Sequence, residues 1–217
     1  MFLFVFSVFS QDVVTAEDFF SALSDRYAQL KDYVVDIVIT KEDDVMKGTL
    51  YYKHPDRLRI DFSEPEDQVI VANRKELYIY VPSERIVLQQ TLSKGSSLSV
   101  VTSKGLSILD DYYYKAYLFS PDYVPLDEDT EGNGASAEQV IKLKLTWKTT
   151  DVGYRSLVIS VAKDGYIRRI EGVTIDYEKI QFDFINLRAN QNIPESRFEY
   201  ETPASANVYY NFLFDSE

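Results

Sequence analysis

The chain has 217 residues, a formal net charge of −12, no cysteine and one histidine. The lack of cysteine excludes disulfides, thiolate nucleophiles, zinc sites built on cysteine and lipid attachment to cysteine. The acidity argues against nucleic acid as a partner, because phosphate backbones carry charge of the same sign. It also predicts repulsion from anionic membrane surfaces, although high net charge commonly serves solubility alone.

Residues 1–10 form an almost entirely apolar segment, MFLFVFSVFS, that is too short to span a bilayer. Its length and position are typical of the apolar region of a secretory signal peptide, and Val8 and Ser10 place small residues before a cleavage site at Gln11. The basic segment that normally precedes such a region is missing, which a start codon upstream of Met1 would explain. The alternative is an N-terminal core strand. We expect export, with residues 11–217 as one mature domain.

An amphipathic helix is predicted over residues 15–30. Thr15 has the chemistry of an N-cap, and Glu17 and Asp18 favour the positive end of the helix dipole. The apolar residues recur at helical spacing and form one stripe: Phe19, Leu23, Tyr27 and Leu30. We expect this stripe to pack on a sheet.

Short alternating runs dominate the next part of the chain. Residues 33–40 predict one strand, and residues 48–90 contain five more runs separated by turns rich in Pro, Asn, Asp and Ser. Period-two alternation between such turns is typical of an antiparallel meander. In the run RLRIDF, Leu58, Ile60 and Phe62 alternate with charged residues. One face of the predicted sheet is therefore apolar, and the other faces water.

The second half of the chain returns to strands after a break. Residues 106–119 have local helical spacing and predict one or two short helices, and residues 121–137 predict an acidic surface loop. Further strands are predicted at residues 140–147, 157–162, 166–174 and 176–187, with a hairpin turn at Lys163-Asp164-Gly165. The predicted fold is mainly β with helices (α+β): an incomplete antiparallel β-barrel, or half-barrel, with an N-terminal helix and inserted lid helices.

Catalytic chemistry is scarce in this sequence. There is no G-x-S-x-G motif, no glycine-rich phosphate loop and no histidine-rich metal cluster. Carboxylate runs at residues 43–44, 110–111 and 127–129 are typical of solvated turns, and nothing selects two of them for glycoside hydrolysis. We therefore expect no enzyme activity, no cofactor and no metal, and keep a secreted all-β enzyme as an alternative.

The single histidine, His54, ends the predicted strand that contains Leu50 and Tyr52, and alternation would place it on their face. A lone histidine on an apolar face is commonly a hydrogen-bonded structural residue. It can also be a polar group inside an apolar cavity that titrates near neutral pH. The sequence leaves both interpretations open.

Several of these runs, taken in order, resemble one protein family. They are residues 48–55 (GTLYYKHP), 58–62 (LRIDF), 69–73 (VIVAN), 77–80 (LYIY), the hairpin at 163–165, and 194–200 (PESRFEY) with Pro203. Their order and spacing over residues 15–205 are similar to those of LolA, the periplasmic outer-membrane lipoprotein carrier family. The chain departs from the family at Lys53-His54-Pro55, where the family has Lys-Arg-Pro. That arginine is associated with lid contacts and cargo release in the family.

The resemblance implies a half-barrel whose concave face holds the acyl chains of lipoproteins in transit from the inner to the outer membrane. By resemblance, the partners are acylated lipoproteins, an inner-membrane lipoprotein-releasing ABC transporter and an outer-membrane acceptor, and we expect a periplasmic monomer. Acyl chains carry no directional groups, so such a site needs apolar area rather than a motif. The predicted lipid-binding residues are those on one face of the meander: Leu50, Tyr52, His54, Leu58, Ile60, Phe62, Ile70, Leu77 and Ile79.

A second hypothesis keeps the same half-barrel and changes its role. The fold would then serve as a lipid-sensing or protein-interaction module, similar to the periplasmic anti-sigma regulator RseB. Lipid that co-purifies with the native protein would favour the carrier over this alternative.

Overall fold

The computed structural model describes residues 14–92, 102–127, 138–150 and 153–212. Within these ranges thirteen strands form one sheet, joined by helices α1 (Ala16–Ala28) and α2 (Ser103–Tyr112) and a short 3₁₀ helix, Glu195–Phe198. The strands in chain order are β1 (Asp32–Lys41), β2 (Asp44–Lys53), β3 (Arg57–Glu64), β4 (Val69–Asn73), β5 (Glu76–Val81), β6 (Ile86–Thr91), β7 (Tyr113–Tyr117), β8 (Val124–Pro125), β9 (Gln139–Trp147), β10 (Tyr154–Ala162), β11 (Ile167–Thr174), β12 (Lys179–Ala189) and β13 (Asn207–Tyr210).

The sheet consists of two antiparallel meanders joined through β1 and β12. The strand order is β13-β6-β5-β4-β3-β2-β1-β12-β11-β10-β9-β7, with β8 also paired to β9. The edge strands β13 and β7 do not pair with each other, so the curved sheet stays open instead of closing into a barrel. The predicted class, a mainly β half-barrel with helices, is therefore confirmed.

Helix α1 begins where the sequence predicts. The Thr15 hydroxyl accepts a hydrogen bond from the Asp18 N–H at 3.1 Å, so the N-cap prediction is confirmed. The helix ends at Ala28, and its buried face consists of Ala16, Phe20, Leu23 and Tyr27. Phe19 of the predicted stripe is half-buried and packs against the core, and Phe20, which the predicted stripe leaves out, is fully buried.

Residues 106–119 are helical only in their first part. In α2 the capping Thr102 hydroxyl accepts a hydrogen bond from the Gly105 N–H at 2.9 Å. From Tyr113 the chain continues as β7, which pairs antiparallel with β9 through Tyr117. The prediction of helix beyond Tyr112 is wrong, because a tyrosine-rich run favours extended backbone and β9 supplies its hydrogen-bond partners.

The connecting segments agree with the sequence where they are described. The hairpin at residues 163–165 is confirmed: Gly165 has a φ of +78°, which glycine adopts without strain, and the Tyr166 N–H donates to the Asp164 carboxylate at 3.1 Å. Two predicted features, the apolar segment 1–10 and most of the acidic loop, lie outside the described residues. Neither helix in the described part of the chain is long and apolar enough to cross a bilayer.

The outer face of β1–β3 is covered by the segment after β12, residues 190–200, here called the C-terminal strap. The Asp32 carboxylate accepts hydrogen bonds from the backbone N–H of Gln191 at 2.5 Å and of Ile193 at 3.2 Å. Ile193 and Phe198 of the strap are buried against the outer face. The prediction that this face is open to water is therefore wrong over these strands. The chain then adds β13 in parallel to the β6 edge.

Candidate ligand cavity

A cavity of about 430 Å³ lies between the inner face of the sheet and α2. Its volume falls within the range of roughly 300–1,000 Å³ that is common for ligand pockets. Among the described residues, no charged side chain contributes to its wall. The wall consists of Ile37, Ile39, Leu50, Leu58, Ile60, Ile70, Leu77, Ile79, Gly105, Ile108, Leu109, Tyr154, Leu157, Ile170, Phe182 and Phe184.

The first meander contributes a continuous apolar row to this wall. Leu50 on β2 pairs with Ile60 on β3, Ile60 pairs with Ile70 on β4, and Ile70 pairs with Ile79 on β5. Directly opposed residues on neighbouring strands share a face and contact one another. Period-two alternation is enough to form this row, and six of the predicted lipid-binding residues line the cavity: Leu50, Leu58, Ile60, Ile70, Leu77 and Ile79.

The second meander supplies the facing wall, which sequence reasoning missed. Phe184 and Phe182 on β12 pair with Ile37 and Ile39 on β1, and Phe182 also pairs with Ile170 on β11. The alternation of Ile180, Phe182 and Phe184 was a visible signal. Only the β1–β12 pairing brings that face to the cavity, because it joins segments that are far apart in the chain.

Helix α2 covers the cavity. Ile108 and Leu109 direct apolar side chains to it, and Gly105 lines it without a side chain. Lys115 on β7 holds α2 against α1, with its ammonium 2.7 Å from Asp110 and 3.1 Å from Glu17. Because the Lys115 side chain is only 3% exposed, these ion pairs replace the water that the charge has lost. Helix α2 therefore has the position expected of a lid helix.

These features agree with comparisons to known proteins. A family model for outer membrane lipoprotein carrier protein LolA matches residues 20–201. The chain belongs to the LolA family. A relative in Pseudomonas putida, named outer-membrane lipoprotein carrier protein, is 24% identical over 164 residues, which cover 76% of this chain and 68% of the relative. One of the same name in Methylibium petroleiphilum is 21% identical over 202 residues, which cover 87% of this chain and 91% of the relative.

Solved structures share the fold of this LolA-family chain at low identity. A conserved protein from Thermus thermophilus superimposes with a TM-score of 0.57 and 11% identity, over 88% of this chain and 96% of that one. MucB superimposes with a TM-score of 0.54 and 12% identity, over 89% of this chain and 64% of that one. At these identities the likeness shows the fold alone.

Two predicted residues, Tyr52 and Phe62, are buried outside the cavity wall. Tyr52 belongs to an aromatic cluster beneath α1, with its ring 5.1 Å from that of Tyr33, which lies 6.2 Å from that of Tyr27. The Tyr52 hydroxyl donates a hydrogen bond to the Pro55 carbonyl at 3.0 Å. Burial raises the pKa of Tyr27 and Tyr33. This cluster packs the core at the end of β1 opposite to Ile39.

His54 does not face the cavity. His54 is exposed in the turn after β2, where its backbone N–H donates to the Lys31 carbonyl at 2.8 Å. It borders a shallow cleft on the surface together with Asp32, Lys53 and Asn192. The prediction that His54 shares the apolar face is wrong, because β2 ends at Lys53 and the alternation ends with it.

Proposed function

We propose that this protein binds the acyl chains of lipoproteins in the cavity and carries them through the periplasm from the inner to the outer membrane. The observation that supports this most strongly is the wall between the sheet and α2, whose 16 described residues are uncharged and mainly leucine, isoleucine and phenylalanine. Membership of the LolA family supports the lipoprotein as cargo. The proposal includes an inner-membrane ABC transporter as donor and an outer-membrane acceptor, with the carrier as a monomer.

Apolar area alone supplies the affinity that such a carrier needs. Each methylene group transferred from water contributes about 0.8 kcal/mol, so about ten methylenes contribute on the order of 8 kcal/mol before the cost of association. The binding is not directional, since the wall offers little beyond hydrocarbon. A carrier can therefore accept cargoes with different protein parts and release each one to an acceptor with a larger apolar surface.

A charge placed in the wall tests the proposal. Ile60 is 8% exposed and lies within the apolar row, so Ile60→Glu introduces a carboxylate with a large desolvation cost. We expect the variant to lose uptake of a fluorescent hexadecanoyl probe. The matched control is Ile185→Glu on β12, because Ile185 follows Phe184 of the wall but is 47% exposed. Unchanged uptake by a folded Ile60→Glu protein would contradict the proposal.

A second candidate is a protein-interaction module of the same fold. It is favoured by the likeness to MucB, which was also solved in complex with MucA(peri) and superimposes in that form with a TM-score of 0.51. Native mass spectrometry of protein purified from the periplasm without detergent separates the two roles. Bound lipid or acylated peptide supports the carrier, and lipid-free protein in a stable complex with another periplasmic domain supports the interaction module.

A further inference from the structure

An arginine lies beside the cavity wall and is held by aromatic rings. The guanidinium carbon of Arg155 lies 4.1 Å from the centre of the Tyr177 ring and 4.9 Å from that of Trp147, the only tryptophan in the sequence. Trp147 is the last residue of β9, and Tyr177 belongs to the turn between β11 and β12. Three separate segments of the sheet therefore position this one cation.

Arg155 is not part of the cavity wall, but it lies at the start of β10, beside Trp147 at the end of β9. It lies between Tyr154 and Leu157, and both of these residues line the wall. The Tyr154 ring occupies the space above Gly172, where an added Cβ would approach it to 2.7 Å. The Tyr154 backbone is held by Tyr113, whose hydroxyl donates to its carbonyl at 2.8 Å. The backbone just before the arginine is thus held in place by Tyr113.

The charge of Arg155 is not neutralised within the described part of the chain. Other arginines of the sheet form ion pairs: Arg168 with Glu138 and Asp164, and Arg169 with Asp127 and Asp183. Arg155 has aromatic contacts, and it forms no ion pair with a carboxylate among the residues that the structure describes. Of the two acids in the neighbouring β11–β12 turn, Glu178 pairs with Lys41 at 2.9 Å, and Asp176 remains as a charge that an anionic ligand must tolerate.

We propose that Arg155 binds the oxyanion of an amphiphile whose acyl chain occupies the cavity. This rests on the proposed function, because it assumes that the cavity takes the chain. Aromatic contacts act on the face of a guanidinium and do not use its five N–H donors, which lie in its plane and match the oxygens of a phosphate or carboxylate. The ligand class is therefore an acyl chain with a phosphate or carboxylate group near its polar end, which in the proposed lipoprotein cargo is a carboxylate of the peptide beside the acylated residue.

Displacement of the fluorescent hexadecanoyl probe by three competitors of equal chain length tests the inference. The competitors are hexadecanol, hexadecanoate and hexadecyl phosphate, applied to the full chain and to Arg155→Gln and Arg155→Lys variants. We expect the wild type to bind the anionic competitors about tenfold more tightly than hexadecanol, which corresponds to one charged hydrogen-bonded contact. Arg155→Gln should remove this preference and leave hexadecanol unchanged, while Arg155→Lys should keep part of it.

The competitors also separate the sources of the oxyanion. A preference for hexadecyl phosphate identifies a phospholipid-like head group, and a preference for hexadecanoate identifies a fatty acid; either supports the inference. Arg188→Gln, an exposed arginine on β12, is the control and should bind as the wild type does. Equal affinity of the wild type for all three competitors, or an equal loss of all three in Arg155→Gln, would overturn it. Failure of the wild type to bind hexadecanol would instead overturn the proposed function.

Discussion

The two faces of β2 and β3 show two different ways of using a sheet surface. On the inner face, Leu50 and Ile60 pair across the strands and are 2% and 8% exposed, yet they border an open cavity. On the outer face, Arg59 and Asp61 form an ion pair at 2.7 Å beneath the C-terminal strap. One face is apolar and keeps a space free, and the other is charged and is closed by the chain itself.

The difference follows from directionality. The Arg59 guanidinium donates to the backbone carbonyls of Arg197 at 3.3 Å and Glu199 at 3.2 Å. The Arg197 guanidinium in turn lies over the Tyr51 ring, 4.1 Å from its centre, and forms an ion pair with Asp61. Such contacts specify one position for the strap. Contacts with leucine and isoleucine side chains depend on the apolar area that is buried and do not fix the orientation of the partner. This suits a site whose ligand enters and leaves.

The largest loss of stability is expected on the inner face. Leu50→Ala removes a side chain that is 2% exposed and should lower the free energy of unfolding by about 2–5 kcal/mol, because buried area is lost and the cavity grows. Urea titration monitored by circular dichroism measures the change. The effect should not depend on salt. A loss below about 1 kcal/mol would show that the inner face collapses around the gap.

The aromatic cluster beneath α1 predicts a loss of stability at alkaline pH. Burial raises the pKa of Tyr27 and Tyr33 above the usual value near 10, so their contribution is complete below about pH 10. As the pH rises further, the unfolded chain releases these protons first, and stability falls by about 1.4 kcal/mol per pH unit for each tyrosine until the pH passes the raised pKa.

The variant Tyr27→Phe isolates one of these groups. It should cost about 1–3 kcal/mol at neutral pH, because the Ile167 N–H donates to the Tyr27 hydroxyl at 3.1 Å and loses its acceptor. Above pH 10 its stability should fall less steeply than that of the wild type. Urea titrations at several pH values measure both effects. Tyr114→Phe, at a residue that is 63% exposed, should keep the wild-type slope, and an unchanged slope in Tyr27→Phe would contradict the assignment.

A smaller effect is expected on the outer face. Glu195 of the strap pairs with Arg57 and lies 3.5 Å from Lys53, but its side chain is 56% exposed. Glu195→Gln should therefore cost at most about 1 kcal/mol, and the cost should shrink in high salt because exposed charges are screened. Urea titration at low and high salt concentration checks this. A loss as large and as salt-independent as that of Leu50→Ala would contradict the contrast between the faces.

The smallest change in stability is expected at Lys115, a charged side chain that is buried between α1 and α2. Lys115→Met removes the buried ammonium between α1 and α2 and fills the same space with hydrocarbon, which is often neutral or stabilising. We expect the free energy of unfolding to stay within about 1 kcal/mol of the wild type. Hydrogen exchange should nevertheless be faster in α2, since its pairing with Asp110 is lost. A loss above about 3 kcal/mol would mean that the ion pairs are essential for folding.

The sequence predicted the inner face better than the outer one, for a physical reason. Ile60 and Ile70 follow from local alternation, which pairing with adjacent strands preserves. The facing wall needs β12 to pair with β1, a contact between distant segments that no local pattern encodes. The strap is harder to predict still. Charged residues such as Arg57 and Arg59 are expected at alternate positions of β3 whether that face contacts water or the strap, so the pattern does not distinguish the two. His54 was misplaced because the alternation was extended past the end of a strand.

The most direct test of the central claim locates an acyl chain in the fold. A fatty acid with a diazirine at the end of its chain, bound to the full protein and irradiated, attaches to the residues that it contacts, and tandem mass spectrometry identifies them. We predict adducts on residues of both meanders that line the cavity, Ile60 and Phe184 among them, and none on the neighbouring outward-facing residues Asp61 and Ile185. Adducts confined to the outer face, or spread equally over both faces, would contradict the cavity as the acyl-binding site.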